Sequence, residues 1–159
     1  MKNCIFCKIY QDQQGIIYED KFFYAQFDAY PASPGHAEII PLRHIVSILE
    51  LKKREWNQLK RVIPQIIEII KKQDLKVLYQ KMSENSLSEK SKFFCEKMLR
   101  HFKIEQIPDG YNIGVNEGRA AGRSIDHLHF HIIPRYLGDI KAPIGGIRRV
   151  IPGHANYRE

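Results

Sequence analysis

Three of the chain's seven histidines stand at alternate positions, His127, His129 and His131, with Leu128, Phe130 and Ile132 interleaved. Successive side chains of a strand point to opposite faces, so this spacing predicts three imidazoles on one side and three apolar residues in the core. Packing alone would not select such a row. Each buried ring needs a hydrogen bond or a ligand, and neighbouring rings repel once protonated. Neutral imidazole serves as a metal ligand and as a nucleophile, and the spacing by itself suits both. A second group lies at the other end of the chain, where Cys4-Ile5-Phe6-Cys7 supplies two soft ligands. That spacing is typical of structural zinc, which prefers four tetrahedral Cys and His ligands. His44 and one of the triad histidines are the candidates to complete such a site. A redox-active pair would open a helix in a βαβ context, and no such pattern surrounds this one. Cys95 falls at an apolar position of a helical pattern and is expected to be inert core.

The elements that must position these residues read as an α+β domain, an antiparallel sheet with helices packed on one side of it. Ile16 to Glu19, Phe22 to Phe27, His36 to Pro41 and Tyr111 to Asn116 have strand character, with Asp20-Lys21 as a tight turn. Tyr30 to Gly35 is a turn-rich loop. Ser47-Ile48-Leu49-Glu50 matches a capping box, and Trp56, Leu59, Ile63, Ile66, Ile67 and Ile70 mark one apolar helical face beyond it. Pro64 should kink or divide that helix. Lys81 to Ser88 reads as a polar loop, and Phe93, Phe94, Met98, Leu99 and Phe102 as a second helix. A Gly-rich turn, Asn116 to Ser124, leads into the histidine strand. Residues 1–159 read as one domain, with 136–159 as an irregular C-terminal extension. His101 and His154 are expected at the surface.

Composition narrows the partners. The 159 residues include 25 Lys and Arg against 18 Asp and Glu, a formal charge of +7 that favours anionic ligands. The cations are scattered, without the dense cluster of a nucleic-acid arm, so nucleic acid is not the expected partner. No apolar run approaches the ~20 residues that span a bilayer. The first residues, Met1 to Cys7, lack the apolar stretch of a secretory signal, and three cysteines do not make a disulfide framework, so a cytoplasmic protein without a membrane is expected.

The run from His127 to Ile133 resembles the hallmark of the histidine-triad (HIT) family of nucleotide hydrolases and transferases, three histidines separated and followed by apolar residues. The resemblance extends to Cys4 through Ile9, Pro34-Gly35-His36, Pro41-Leu42-Arg43-His44, Asn116-Glu117-Gly118, Ala121-Gly122 and Ile133-Pro134-Arg135-Tyr136. Gly145 to Arg148 and Val150-Ile151-Pro152 are similar to the C-terminal extension of a bacterial, zinc-binding branch related to dinucleoside-polyphosphate hydrolases. The resemblance implies that His129 attacks the α-phosphate of a nucleotide or dinucleotide and carries the nucleotidyl group, with His131 binding the phosphate or holding His129. It also implies a structural zinc on Cys4, Cys7, His44 and His127, no organic cofactor, and a homodimer. Asn116, Gly122 and Ser124 take positions that bind the phosphates, Asp28 one that binds ribose, and His36 one beside the triad.

Arg123 departs from the family pattern, which has Gln four residues before the first triad histidine. A guanidinium brings fixed charge and a bidentate fork in place of a neutral donor. It could tighten binding of a longer polyphosphate, slow turnover, or turn outward. A hydrolase of dinucleoside polyphosphates or nucleoside phosphoramidates is the leading expectation. A nucleotidyltransferase is a second, and a nucleotide-binding module whose catalysis has decayed is a third.

Overall fold

A computed structural model describes residues 4–86 and 88–152 of the chain. Its centre is a five-stranded antiparallel sheet in the order β1-β2-β3-β5-β4. The strands are β1 (Ile16–Glu19), β2 (Phe23–Phe27), β3 (Ala37–Pro41), β4 (Gly110–Gly114) and β5 (Phe130–Arg135). β1 and β2 turn where Asp20 Oδ1 accepts from the amides of Phe22 and Phe23.

Alternation along β2 and β3 divides the two faces. Phe23, Ala25, Phe27, Ala37 and Ile39 join Phe130 and Ile132 of β5 in the main core. The long helix α2 (Lys53–Lys72) lies on that face and buries Leu59, Val62, Ile66 and Ile70. Each such buried aliphatic side chain is worth about 1.5–3 kcal/mol of transfer free energy. Pro64 does not divide α2, because it lies on the exposed side, where water can satisfy the carbonyl it leaves free. Trp56, expected on the apolar stripe, is exposed, and Val62 takes a place in the core.

Several expectations need correction. Ser47 and Glu50 do form a capping box, but around the single turn Ile48–Glu50; α2 begins three residues later. Lys81 to Ser88 is not a loop throughout. Leu75–Glu84 forms α3, and only a short connection separates it from α4 (Glu89–Leu99). Leu75, Leu78, Tyr79 and Met82 recur at helical spacing and meet Cys95 and Met98 in a second core. Cys95 is fully buried, as expected, while Phe102 lies beyond α4 and is exposed. The helices are not all on one side: α1 (Ile5–Gln11) covers the opposite face, where Phe6 packs on Tyr24 and Ile40. His101 is half-buried, stacked on Phe102, rather than a surface residue. His154 lies outside the described residues. Among the described residues of the extension, 136–152, Gly146–Val150 forms a helical turn. Among the described residues no helix is long and apolar enough to cross a membrane.

Candidate active site and metal cluster

The three histidines do not share one regular strand. β5 pairs Phe130 with Ile39 and His131 with Glu38 and Gly114, while His127, Leu128 and His129 precede the ladder. Their backbone is held differently, with the Leu128 amide donating to the Ile45 carbonyl at 2.6 Å. Alternation nevertheless persists. Leu128, Phe130 and Ile132 enter the core, and the imidazoles line the other face, His129 and His131 with centroids 4.9 Å apart. Phe6 of α1 stands edge-on to both His127 and His129, at 5.9 and 5.1 Å.

His127 is buried, and its Nε2 donates to the Pro41 carbonyl at 2.9 Å. That bond leaves Nδ1 as the bare nitrogen, 3.3 Å from Cys4 Sγ and 3.6 Å from Cys7 Sγ. His44 Nδ1 stands 3.4 Å from Cys7 Sγ. One donor atom from each of these four residues lies within 4.8 Å of all the others. Zinc bond lengths of about 2.0–2.3 Å place tetrahedral ligand atoms about 3.5 Å apart, so the donor set and its spacing fit that ion. Burial and the neighbouring Cys4 thiol push the Cys7 thiol up to about 11, and burial pushes His127 down to about 4. The imidazole is therefore a free base at neutral pH, the form that ligates a metal.

The other two triad histidines face a different set of groups. His129 Nδ1 donates to the His127 carbonyl at 2.8 Å, which leaves Nε2 with its lone pair. His131 Nδ1 lies 3.1 Å from His36 Nε2, and His36 Nδ1 lies 3.1 Å from Asp28 Oδ2. The Ala32 amide also reaches His36 Nδ1, at 3.2 Å, so that nitrogen either donates to Asp28 or accepts from Ala32. Only the Ala32 amide has hydrogen-bond alignment, so Nδ1 accepts, and Asp28 is a neighbouring charge rather than an aligned acceptor. With that tautomer His36 Nε2 donates to His131 Nδ1, and His131 Nε2, buried and without a protein partner, carries the proton. Burial first, then the nearby His36, pushes the His131 imidazole down to about 4; burial also lowers His36.

Asp28 is therefore engaged with His36, and its other oxygen accepts from the Tyr30 amide. Gly35, before His36, has φ +82°, and a Cβ there would meet Ile70 at 2.9 Å, so both backbone and space call for glycine. Asn116, Gly122 and Ser124 are exposed on the turn leading to the histidines. Gly122 is in the left-handed region at φ +93°, closing the turn Arg119–Ala121. Arg123 is largely buried. Its guanidinium contacts the Val46 carbonyl at 3.4 Å, Glu117 at 3.8 Å and Asp126 at 3.3 Å. Nε, though near Asp126, is misaligned for a hydrogen bond.

Two polar residues absent from the sequence-based expectations complete this floor. Glu38 lies cross-strand from His131 and also from Gln26, whose Nε2 donates to Glu38 Oε2 at 3.0 Å. Both are buried, and burial followed by the charge of Asp28 pushes the Glu38 carboxyl up to about 8. Glu38 itself was the available signal, since it interrupts an otherwise apolar run, Ala37 to Pro41.

An antiparallel sheet carrying a histidine cluster beside a Cys/His cluster defines a class, and comparison with known proteins agrees. The HIT domain family matches residues 10–138, and the chain belongs to it. It is 30% identical to an uncharacterized HIT-like protein of Methanocaldococcus jannaschii, over 86% of this chain and 81% of that protein. It is 29% identical to an AP-4-A phosphorylase of Mycobacterium tuberculosis, over 89% of this chain but only 57% of the relative. Among solved structures, a hypothetical histidine triad nucleotide-binding protein of Sulfolobus tokodaii is 30% identical, with a TM-score of 0.60 over 86% of this chain and 71% of that one.

Proposed function

We propose that the protein cleaves dinucleoside polyphosphates or nucleoside phosphoramidates at the α-phosphate, through a covalent nucleotidyl-histidine on His129. The observation that carries this reading is the His129 tautomer: a backbone carbonyl takes Nδ1–H and leaves Nε2 with its lone pair, on the ring that neighbours His131. Nε2 attacks phosphorus, the bond to the leaving oxygen or nitrogen breaks, and water then releases the nucleotide. His131 faces the same phosphate. With its Nδ1 accepting from His36, His131 carries its proton on Nε2 and donates it in a hydrogen bond to the phosphate oxygens as charge builds there. Asp28, Asn116, Gly122 and Ser124 are proposed to bind ribose and phosphates.

Cys4, Cys7, His44 and His127 would hold a zinc whose four protein ligands leave no open position, so its contribution is to fix α1 and the start of the histidine segment. No organic cofactor is needed. Nucleotide is the proposed partner, in a cytoplasmic homodimer. The M. tuberculosis relative named AP-4-A phosphorylase favours a second acceptor, inorganic phosphate in place of water.

Incubation with an adenosine phosphoramidate and with diadenosine tetraphosphate, with and without phosphate, tests the reading. AMP formed without phosphate marks hydrolysis, and ADP from diadenosine tetraphosphate formed only with phosphate marks phosphorolysis. Turnover that survives His129→Ala removes His129 as the nucleophile, and tight nucleotide binding without any turnover removes the enzyme.

A further inference from the structure

The buried Glu38 and its partner Gln26 have no part in the proposed nucleotidyl transfer. A buried carboxyl keeps its proton unless a cation takes the proton's place, and Gln26 offers it only a single amide. Glu38 has Gln26 on one side and, across the strand pair, His131 on the other. One donor atom each from Glu38, His129 and His131 lies within 4.8 Å of the other two. We propose that Glu38, His129 and His131 form a second metal site, separate from the Cys/His cluster, which takes a divalent first-row transition ion through one carboxylate and two imidazoles.

The remaining atoms of all three side chains are already held. His129 Nδ1 is on the His127 carbonyl, His131 Nδ1 is on His36, and Glu38 Oε2 is on Gln26. His36 is itself held by the Ala32 amide. Ligands fixed through their far atoms are what a metal site requires of its surroundings, because such bonds set ring orientation and tautomer. They leave His129 Nε2 and one Glu38 oxygen for the ion, which displaces the proton of His131 Nε2, the buried nitrogen with no protein partner, as the His36–His131 pair switches tautomer. Bonds of about 2.0–2.2 Å put donors about 3–4 Å apart, within reach of small rotations about the broad terminal torsions of these side chains. The neighbouring trio Asp28, His36 and His131 is a poorer site, since those residues spend their facing atoms on one another. Two imidazoles and a carboxylate leave coordination positions open, a set suited to Fe(II) and its first-row neighbours rather than to Mg²⁺ or Ca²⁺. An ion there occupies the nitrogen that attacks phosphorus. Excess metal is therefore an inhibitor, a consequence that rests on the nucleophile reading above.

The test titrates cobalt(II) into protein already loaded with one equivalent of zinc. The expected result is one further equivalent, with weak visible bands and no near-ultraviolet thiolate-to-cobalt band. Glu38→Gln and His131→Gln should each weaken that uptake at least about tenfold, and Asp28→Asn less than either. Circular dichroism of each variant checks its fold, and the two variants lie on different strands, so both must lose structure before the comparison fails. No uptake at millimolar cobalt, growth of a thiolate band, or undiminished affinity in a folded Glu38→Gln or His131→Gln protein overturns the site. Turnover of diadenosine tetraphosphate without cobalt reports on the hydrolase reading separately. Where turnover exists, cobalt should suppress it in the wild type and not in Glu38→Gln; equal suppression in both overturns the blocking role.

Discussion

At one end of the histidine segment, His127 is enclosed by Cys4, Cys7 and His44, with its outer nitrogen on a backbone carbonyl. Two residues on, His129 is held by the same kind of bond, yet its free nitrogen meets no thiol and faces Glu38 and His131. The first region is closed, its four donors converging on a point. The second is not enclosed by thiols, and it has a nitrogen without a protein partner and a buried acid beside it. Identical side chains thus meet different surroundings according to what the neighbouring elements bring. α1 and the segment after β3 bring two thiols and an imidazole to His127; β3 and the Asp28 loop bring carboxyls and His36 to the other pair.

That contrast can be broken most sharply by exchanging which histidine is lost. His129→Ala should lower kcat for an adenosine phosphoramidate by about 10³-fold or more, while zinc content and thermal midpoint stay near the wild type. If His129→Ala instead loses the metal, the two regions are one. Cys4→Ser or Cys7→Ser should empty the closed region. A loss of about 3 kcal/mol corresponds to about 6–12 °C in Tm at this chain length, read by calorimetry alongside elemental analysis for zinc. An unchanged Tm in protein lacking zinc would separate the metal from stability.

His36→Ala removes the donor to His131 Nδ1, and about a tenfold loss of kcat is expected, with KM less affected. His36→Gln should recover part of that loss, since its amide can still bond both neighbours. The second region also carries an acid sensitivity. His131 is neutral when folded, titrating at about 4 because burial disfavours its charge, whereas the unfolded chain takes up that proton near the ordinary histidine value of about 6.5. The stability it contributes is present above about pH 6.5 and lost as pH falls toward 4. Tm measured from pH 7 to 4 should therefore drop less steeply in His131→Asn, and identical slopes would contradict the assignment.

The smallest effect is expected at Arg123. Its guanidinium is already engaged by Glu117, Asp126 and the Val46 carbonyl, so Arg123→Gln should change kcat/KM by no more than about threefold. A gain of tenfold or more would mean that Arg123 restrains turnover rather than bracing the turn.

Much of the site was legible because its chemistry is written in short spacings. Cys4-x-x-Cys7, the alternate histidines and Pro34-Gly35-His36 each carry their own periodicity or backbone demand, and β1, β2, β3 and β4 lie within a residue or two of their expected bounds. α1 escaped notice because seven residues hold too few apolar repeats, and α3 because its polar C-terminal half looks like a loop. Glu38 and Gln26 escaped because a single polar residue in a strand normally means a solvated face.

The sequence by itself determined the class of protein, the histidine and cysteine donors, and the alternation that keeps the imidazoles off the core, since these depend on local periodicity. Only the tertiary structure decided where the histidine segment stops being a strand, and which nitrogen of each ring is free. It also decided that Arg123 is spent on nearby acids and that a buried glutamate stands beside His129 and His131. The reason is physical: a tautomer and a buried charge are settled by partners that lie far along the chain. Pro41 carries the acceptor that exposes Nδ1 of His127, and Glu38 meets His131 only because β3 and β5 pair in one register.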